Sequence, residues 1–272
     1  MTAIQMTHRN RRRMAQFGLT ARGVLYCVVG VLAAQLAFGG GGEQQASQQG
    51  AFQSIAAQGT WGTVLLALVG IGLVVYALWR LTQFFIEKGD DEDSDTKKWI
   101  MRASYIVRAV VYSGLAFLAF RIAFGSGGGG GEGSQQAITA QVMRDWPAGR
   151  WLVGLVGLII IGVGCYQAYQ AFSEDFMEEL QTHEMSATER TWMRRIGVLG
   201  HSARAVVFGL IGLFIIRAAV QFDAEESVGL DGALQRLANQ PAGPWLLALT
   251  ALGLFAFGVY TIVRARYVDV SE

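Results

Sequence analysis

The stretch TARGVLY, residues 20–26, places an arginine inside a segment that is otherwise almost wholly apolar. Arg22 lies a turn or so inside the run 17–38, where a charge is costly unless it is paired or reaches water. About 20 apolar residues, rising 1.5 Å each, are needed to cross a hydrocarbon core of roughly 30 Å. The run is therefore predicted to be a transmembrane helix that carries a cation.

Five further runs share this length and apolar character. Only 16% of the chain is charged, against about 25% in an average soluble domain. Because a helix satisfies its own backbone polar groups, helices are the expected solution in lipid. The sequence predicts an all-α integral membrane protein with six transmembrane helices. The six predicted spans are 17–38, 61–86, 103–124, 151–172, 197–220 and 245–263.

The arginine motif of the first span recurs twice. Each copy has an arginine followed four residues later by an aromatic residue, which places the two side chains on one helix face. The three copies are ARGVLYCVVG (21–30), RAVVYSGLAF (108–117) and RAVVFGLIGL (204–213). The pairs are Arg22 with Tyr26, Arg108 with Tyr112, and Arg204 with Phe208.

A second pattern follows each copy of the first. A glycine precedes a tryptophan by two residues, and a tyrosine follows that tryptophan by fifteen, in the helices at 59–80, 149–170 and 243–264. Tandem repeats of this kind predict three helical hairpins around an approximate threefold axis along the membrane normal. A linear row of hairpins is the alternative. The predicted units are a basic cytoplasmic tail at 1–16 and hairpins at 17–86, 103–172 and 197–267.

These motifs resemble those of a bacterial family of unknown function, number 1206, whose members are similar in carrying three copies of a two-helix membrane unit. The resemblance runs from Phe17 to about Tyr267 and depends on the arginine–aromatic starts and the tryptophan-to-tyrosine helices. It implies the fold and supplies no activity.

The distribution of lysine and arginine predicts the orientation. Thirteen of these residues lie in the N-terminal segment, the second and fourth loops and the C-terminus, whereas three lie in the other loops. Positive charge is enriched in cytoplasmic loops. We therefore expect a multi-pass protein of the bacterial inner (plasma) membrane with both termini in the cytoplasm.

The recurring arginines form a candidate site near the cytoplasmic ends of the helices. Arg80 and Arg264 end the second and sixth helices at the same level, and such terminal cations are expected to extend to the headgroups. For the deeper set, structural anchoring and ligand binding both remain open. The candidate residues for binding an anionic lipid or an anion are Arg22, Arg108, Arg204, Arg80, Arg264, Tyr26 and Tyr112.

No aspartate or glutamate lies within the six spans. The possible partners for the arginines are therefore backbone carbonyls, a lipid phosphate, an exchangeable anion or acids that reach in from the loops. Tyr26 and Tyr112 are placed to stack on a guanidinium, and basic pockets between helices are typical sites for anionic headgroups. Membrane lipids are the predicted partners, together with a larger membrane complex in which the chain is an accessory or structural subunit.

Other function classes have less support. Proton and cation pathways commonly use intramembrane acids. His201 is the only histidine near a predicted span, and it is interpreted as an interfacial residue. No recurring nucleophile, base and orienting group predicts an enzyme, no His/Cys cluster predicts a metal or other cofactor, and a net charge of +1 does not favour nucleic acid. The alternative is a channel or transporter for small anions or an uncharged solute along the threefold axis.

The outer loops carry a short helical pattern at 51–58, 137–143 and 232–240. These segments are predicted to be surface helices that space the hairpins, with a lid over the outer mouth as the alternative. Apolar side chains are also expected to fill and close the axis, namely Val28, Leu32, Leu115 and Leu210.

Overall fold

The fold is built from α-helices, and the computed structural model describes residues 3–38, 46–86, 95–125, 132–146, 148–177, 180 and 185–267. Among these residues, six helices are long and apolar enough to cross a membrane, which confirms the predicted number of spans. α1 begins at Ala3, so the helix extends through most of the predicted basic tail. The six are α1 (Ala3–Ala37), α3 (Thr60–Ile86), α4 (Asp95–Ala123), α6 (Gly149–Ser173), α7 (Ala187–Gln221) and α9 (Gly243–Tyr267).

Three shorter helices connect the two spans of each repeat, as their periodicity predicts. They are α2 (Gln48–Ala56), α5 (Glu132–Asp145) and α8 (Leu230–Ala238). We call their side of the bundle the loop end and the opposite side, where Arg22, Arg108 and Arg204 lie, the arginine end.

Local sequence sets the ends of two spanning helices near the arginine end. Ser186 caps α7, because its Oγ accepts from the Glu189 amide at 3.2 Å while the Glu189 carboxylate accepts from the Ser186 amide at 2.9 Å. α6 ends at Ser173, and the next residue, Glu174, has a left-handed φ of 61°. A short 3₁₀ helix, Asp175–Met177, then turns the chain under the bundle.

The spanning helices pair mainly across repeats. The most extensive contacts join α1 to α9, α6 to α7, and α3 to α4, each linking the second helix of one repeat to the first helix of another. Within repeats, α1 packs on α3 and α7 packs on α9. The first and last spans are therefore neighbours, which supports the threefold arrangement and excludes a linear row of hairpins.

Glycine explains why two of the cross-repeat pairs are so close. A Cβ added to Gly258 on α9 would lie 2.7 Å from the Gly23 carbonyl of α1. A Cβ added to Gly212 on α7 would lie 2.7 Å from the Gly157 carbonyl of α6. Small residues allow this approach of helix backbones in membranes. The position equivalent to Gly258 in α3 is Val74, so the α3–α4 pair has a bulkier contact.

The loop-end half of the bundle is filled by apolar side chains. Leu32 belongs to one continuous buried cluster, Val28 and Leu115 pack against it, and Leu210 packs against a neighbouring cluster. All four side chains therefore pack within apolar clusters of the bundle. The loop-end half of the bundle has an apolar core.

Two of the short helices belong to that core. Phe52 of α2 and Leu234 of α8 are both fully buried, and Asp231 of α8 accepts a hydrogen bond from the Ala46 amide at 2.7 Å. The prediction that they are plain surface helices is wrong, because each buries an apolar face against the spanning helices. α2 and α8 therefore cover the loop end of the apolar core.

Candidate functional site

Arg22, Arg108 and Arg204, which we call the arginine cluster, come from the first helix of each repeat. The guanidinium carbon of Arg22 lies 5.8 Å from the Tyr26 ring centre on its own helix and 5.6 Å from the Tyr112 ring centre on α4. The Arg204 guanidinium carbon lies 5.5 Å from the Tyr26 ring centre. The structure thus brings the three repeats together around two of the predicted tyrosines.

Aromatic faces form much of the wall of the cluster. Phe257 of α9 lies 5.4 Å from the Arg22 guanidinium and 4.3 Å from that of Arg204. Phe208 lies 5.2 Å from the Arg204 guanidinium, as the four-residue spacing predicts. A cation within about 6 Å of a ring is attracted by its quadrupole. These rings stabilise the guanidiniums but provide no negative charge.

Tyr76 is a hub that the predicted set of residues did not include. Its hydroxyl oxygen accepts hydrogen bonds from Arg22 Nη1 at 3.2 Å, from Arg80 Nε at 3.1 Å and from Arg80 Nη2 at 2.9 Å. Its ring meets Tyr112 edge-on at 4.5 Å. Tyr76 therefore links α1, α3 and α4. The regular recurrence of a tyrosine at this position was the sequence signal that could have found it.

Arg80 does not extend to the headgroups. It is only 6% exposed, its guanidinium lies 4.4 Å from the Trp79 ring centre, and its Nη1 donates to Gln83 Oε1 at 2.6 Å. The sequence expectation for this residue is wrong, because a phenol oxygen and an amide oxygen inside the bundle bind the guanidinium. Arg264, its equivalent on α9, is half-buried.

Gln167 binds the third arginine of the cluster. With its amide oriented to satisfy both neighbours, its oxygen accepts from Arg204 Nη1 at 2.5 Å and Nη2 at 2.8 Å, and its nitrogen donates to His201 Nδ1 at 3.0 Å. His201 is 6% exposed and stacks on Phe176 at 5.0 Å. The prediction of an interfacial histidine is wrong, because Phe176 folds back over it from the 3₁₀ helix.

Carboxylates do not neutralise the arginine cluster within the part of the chain that the structure describes. The ion pairs found there lie elsewhere and are Arg144–Asp145, Arg194–Glu174 and Arg236–Glu226. Arg22 Nε is buried without a hydrogen-bond partner. Over the same residues, Arg108 donates no hydrogen bond to another side chain or to the backbone. An unpaired charge in a low-dielectric site raises the free energy of the folded state. An external anion or water molecules would therefore stabilise the cluster.

The three arginines differ in access. Arg22 and Arg204 are half-buried, whereas Arg108 is exposed. The same difference appears in the repeated tyrosines, because Tyr76 and Tyr260 are fully buried while Tyr166 is 51% exposed. The second repeat is therefore the open side of the cluster.

The described residues contain no group of three or more histidine, cysteine, aspartate or glutamate side chains that could bind a metal ion. The two cysteines are unpaired thiols, Cys27 half-buried and Cys165 exposed. The arginine cluster is the candidate site.

Comparison with known proteins places this architecture in a family. Three separate stretches, 17–84, 103–174 and 199–268, each match one family description. The chain belongs to the family described as Domain of Unknown Function (DUF1206). A relative in Bacillus subtilis (strain 168), the uncharacterized protein YxxB, is 34% identical over 256 residues, which are 94% of this chain and 90% of the relative. No solved structure was found to match the chain.

Proposed function

We propose that this protein is a non-enzymatic membrane protein that binds an anionic phospholipid at the arginine cluster. The observation that carries the proposal is that the Arg22 and Arg204 guanidiniums share the Tyr26 ring, that Arg108 lies within electrostatic range of both, and that no carboxylate among the described residues neutralises them. A phosphodiester satisfies such a group well, because guanidinium binds phosphate through paired, charge-assisted hydrogen bonds.

The depth of the cluster favours a lipid as the source of the phosphate. Arg22 lies near the start of the apolar run 17–38 of α1, which is its arginine end. Tyr76 and Arg80 lie near the end of α3, and the hydrogen bond from Arg22 to Tyr76 places them at the same level. A headgroup at the membrane surface reaches this level while its acyl chains stay in hydrocarbon. Basic pockets between helices bind anionic headgroups in this way.

The proposed location is the bacterial inner membrane, with the arginine end facing the cytoplasm. The excess of lysine and arginine in the termini and in the second and fourth loops supports this orientation. The bound lipid then comes from the cytoplasmic leaflet. As a lipid-binding protein without catalytic groups, the chain is proposed to act as an accessory or structural subunit of a membrane assembly.

Conduction along the axis is the rival function, and a ring of arginines is the feature that favours it. The packing of the loop-end half argues against it. Leu32 is 6% exposed within the apolar cluster, and Phe52 and Leu234 are fully buried above it. We expect anion flux into liposomes containing the purified protein to equal that of empty liposomes. A flux that Arg108→Gln abolishes would favour conduction instead.

Native mass spectrometry of the full-length protein in a mild detergent tests lipid binding. The wild type is expected to retain phosphatidylglycerol in preference to phosphatidylcholine, since the choline group would bring a further positive charge to the three arginines. The triple variant Arg22→Gln, Arg108→Gln, Arg204→Gln should lose this preference, because it removes the three donors.

The matched control removes three arginines from outside the cluster. Arg144, Arg150 and Arg217 are exposed, and their replacement by glutamine lowers the net charge by the same amount. The control variant should bind phosphatidylglycerol like the wild type. Equal loss in both variants would mean that bulk charge, rather than the cluster, attracts the lipid. Unchanged retention in the cluster variant would remove the proposal.

A further inference from the structure

α4 and α6 belong to the same repeat, yet they make almost no contact with each other over their described residues. In the other two repeats the corresponding helices pack together, α1 on α3 and α7 on α9. The six spanning helices therefore form an arc in the order α4, α3, α1, α9, α7, α6. We call the gap between the two ends of the arc the lateral cleft.

The sequence explains why only this hairpin is open. The first helices of the closed hairpins carry a glycine and an alanine three residues apart, in GLTA (18–21) and GHSA (200–203), whereas α4 has SYIV (104–107). A Cβ added to Gly72 of α3 would lie 2.5 Å from Ala21 Cβ, and one added to Gly253 of α9 would lie 2.3 Å from Ala203 Cβ. The serine and valine of α4 do not allow such close approach.

Positions that are buried in the first and third hairpins are exposed at the equivalent sites of the second hairpin, which line the cleft. Val111 on α4 is 52% exposed, whereas its equivalents Leu25 and Val207 are 1% and 4% exposed. On α6, Gly162 is the equivalent of the tightly packed Gly72, but a Cβ added to it would have no atom within 4 Å. Gly114 of α4 is equally open and lies seven residues after Val107, which places both on one helix face.

The cleft is apolar along its length and cationic at one end. Val107, Val111 and Gly114 are exposed at helical spacing on one side of α4, and Ile159 and Val163 are exposed on α6. The arginine end of this wall is Arg108, the exposed member of the cluster, which lies within electrostatic range of Arg22 and Arg80. This profile matches a phospholipid, whose acyl chains need apolar walls and whose phosphate needs donors at the surface.

A second copy of the chain would not satisfy the same surface. It could cover the apolar walls, but none of its six spans contains an aspartate or glutamate to neutralise Arg108 at this depth. Charge complementarity therefore selects the lipid. A zwitterionic lipid is a poorer match, because its ammonium group would approach three guanidiniums.

We infer that an anionic phospholipid enters the arginine cluster sideways, through the cleft between α4 and α6, with its acyl chains between the two helices and its phosphate on Arg108. This inference rests on the proposed function and specifies the route by which the lipid enters and the position at which it binds. It also accounts for the departure of the second repeat from threefold symmetry.

The test uses a phosphatidylglycerol with a photoreactive diazirine in the middle of one acyl chain. The full-length protein is reconstituted in phosphatidylcholine vesicles with a small fraction of this probe and irradiated, and the labelled peptides are mapped. The specific signal is the labelling that excess unlabelled phosphatidylglycerol removes and excess phosphatidylcholine does not. We expect it on α4 between Val107 and Phe117 and on α6 between Ile159 and Val163.

Three variants separate the cleft from the rest of the surface. Gly162→Leu adds a side chain whose Cβ meets open space and whose remaining atoms extend into the cleft, and it should lower the specific signal about tenfold. Arg108→Gln should lower it to a similar degree through the lost phosphate contact. Gly209→Leu is the matched control, since its Cβ also meets open space on α7, and it should label like the wild type. Gly114→Leu replaces Gly162→Leu if the latter does not fold.

The outcomes distinguish the two levels of the proposal. Specific labelling on α4 and α6 that Gly162→Leu and Arg108→Gln reduce supports the cleft. Specific labelling that Arg108→Gln reduces but that lies on other helices, or that Gly162→Leu leaves unchanged, overturns the cleft and leaves lipid binding intact. The absence of any specific labelling overturns both.

Discussion

A methyl group on Gly258 should separate α1 from α9 and so destabilise the bundle where its first and last spans meet. In Gly258→Ala the new Cβ would lie 2.5 Å from Cys27 Sγ, 2.6 Å from the Cys27 amide nitrogen and 2.7 Å from the Gly23 carbonyl oxygen. Two of these three atoms belong to the backbone of α1. They move away only if the helix moves.

The expected change in the free energy of unfolding is the difference between two opposing effects. Overpacking of this kind costs about 1–3 kcal/mol, and three simultaneous contacts with little freedom to relax place this site at the upper limit. Alanine gains about 1 kcal/mol over glycine through its helix propensity. We therefore expect the free energy of unfolding to fall by about 2 kcal/mol in Gly258→Ala.

Substitutions at two other glycines provide comparison variants for the measured free energy of unfolding. Gly162→Ala meets open space and should be neutral or stabilising by up to about 1 kcal/mol. A Cβ added to Gly164 would lie 3.1 Å from the Gly209 nitrogen and 3.2 Å from the Ala205 carbonyl oxygen of α7. The stability of Gly164→Ala should therefore lie between those of Gly258→Ala and Gly162→Ala. The assay is equilibrium unfolding in mixed micelles, followed by circular dichroism. If Gly258→Ala is as stable as Gly162→Ala, α1 and α9 do not pack as described.

Three further predictions concern the hub, the short helices and the orientation. Tyr76→Phe removes the oxygen that accepts from two arginines and should lower the free energy of unfolding by about 2–3 kcal/mol, whereas Tyr166→Phe, at the exposed equivalent, should cost less than about 1 kcal/mol in the same assay. Burial raises the pKa of Asp231 above 3.8, so the folded chain binds this proton more tightly than the unfolded chain. Stability should therefore fall as the pH rises from 3.8 through the raised pKa, and Asp231→Asn should remove that part of the pH dependence; an unchanged profile would contradict it. In a cysteine-free background, a membrane-impermeant thiol reagent should label Asn239→Cys in intact cells and leave Ala187→Cys unlabelled, and the opposite pattern would reverse the proposed orientation.

The sequence predicts the fold to a large extent because its signals are repeated and physically simple. Apolar length fixes the six spans, and the threefold recurrence of Arg22 and its equivalents predicts that the copies are related by an axis. Which helices pair is not contained in the repeat alone. The cross-repeat pairing of α1 with α9 depends on Gly23 and Gly258 lying opposite each other, and glycines are frequent throughout these spans.

The candidate site was predicted in part. The convergence of Arg22, Arg108 and Arg204 follows from their equal place in the repeats. The inward position of Arg80 does not follow, because a terminal cation normally extends to water, and only the position of the Tyr76 hydroxyl reverses this preference. His201 was misplaced for a related reason, since the segment that covers it is a 3₁₀ helix without a periodic signal.

The lateral cleft arises where the second copy of the repeat differs in sequence from the other two. Ser104 and Val107 stand at the positions of a glycine and an alanine in the other two copies, and this difference is visible in the sequence. Its consequence becomes evident only when the contacts of Gly72 and Gly253 reveal what the small residues do.

The most direct test of the account is the density at the arginine cluster in a cryo-electron microscopy map of the protein in phosphatidylglycerol nanodiscs. The account predicts a phosphate within hydrogen-bond distance of Arg108, with acyl-chain density between α4 and α6. A map in which α4 and α6 pack together, and in which loop carboxylates neutralise Arg22, Arg108 and Arg204, would contradict it.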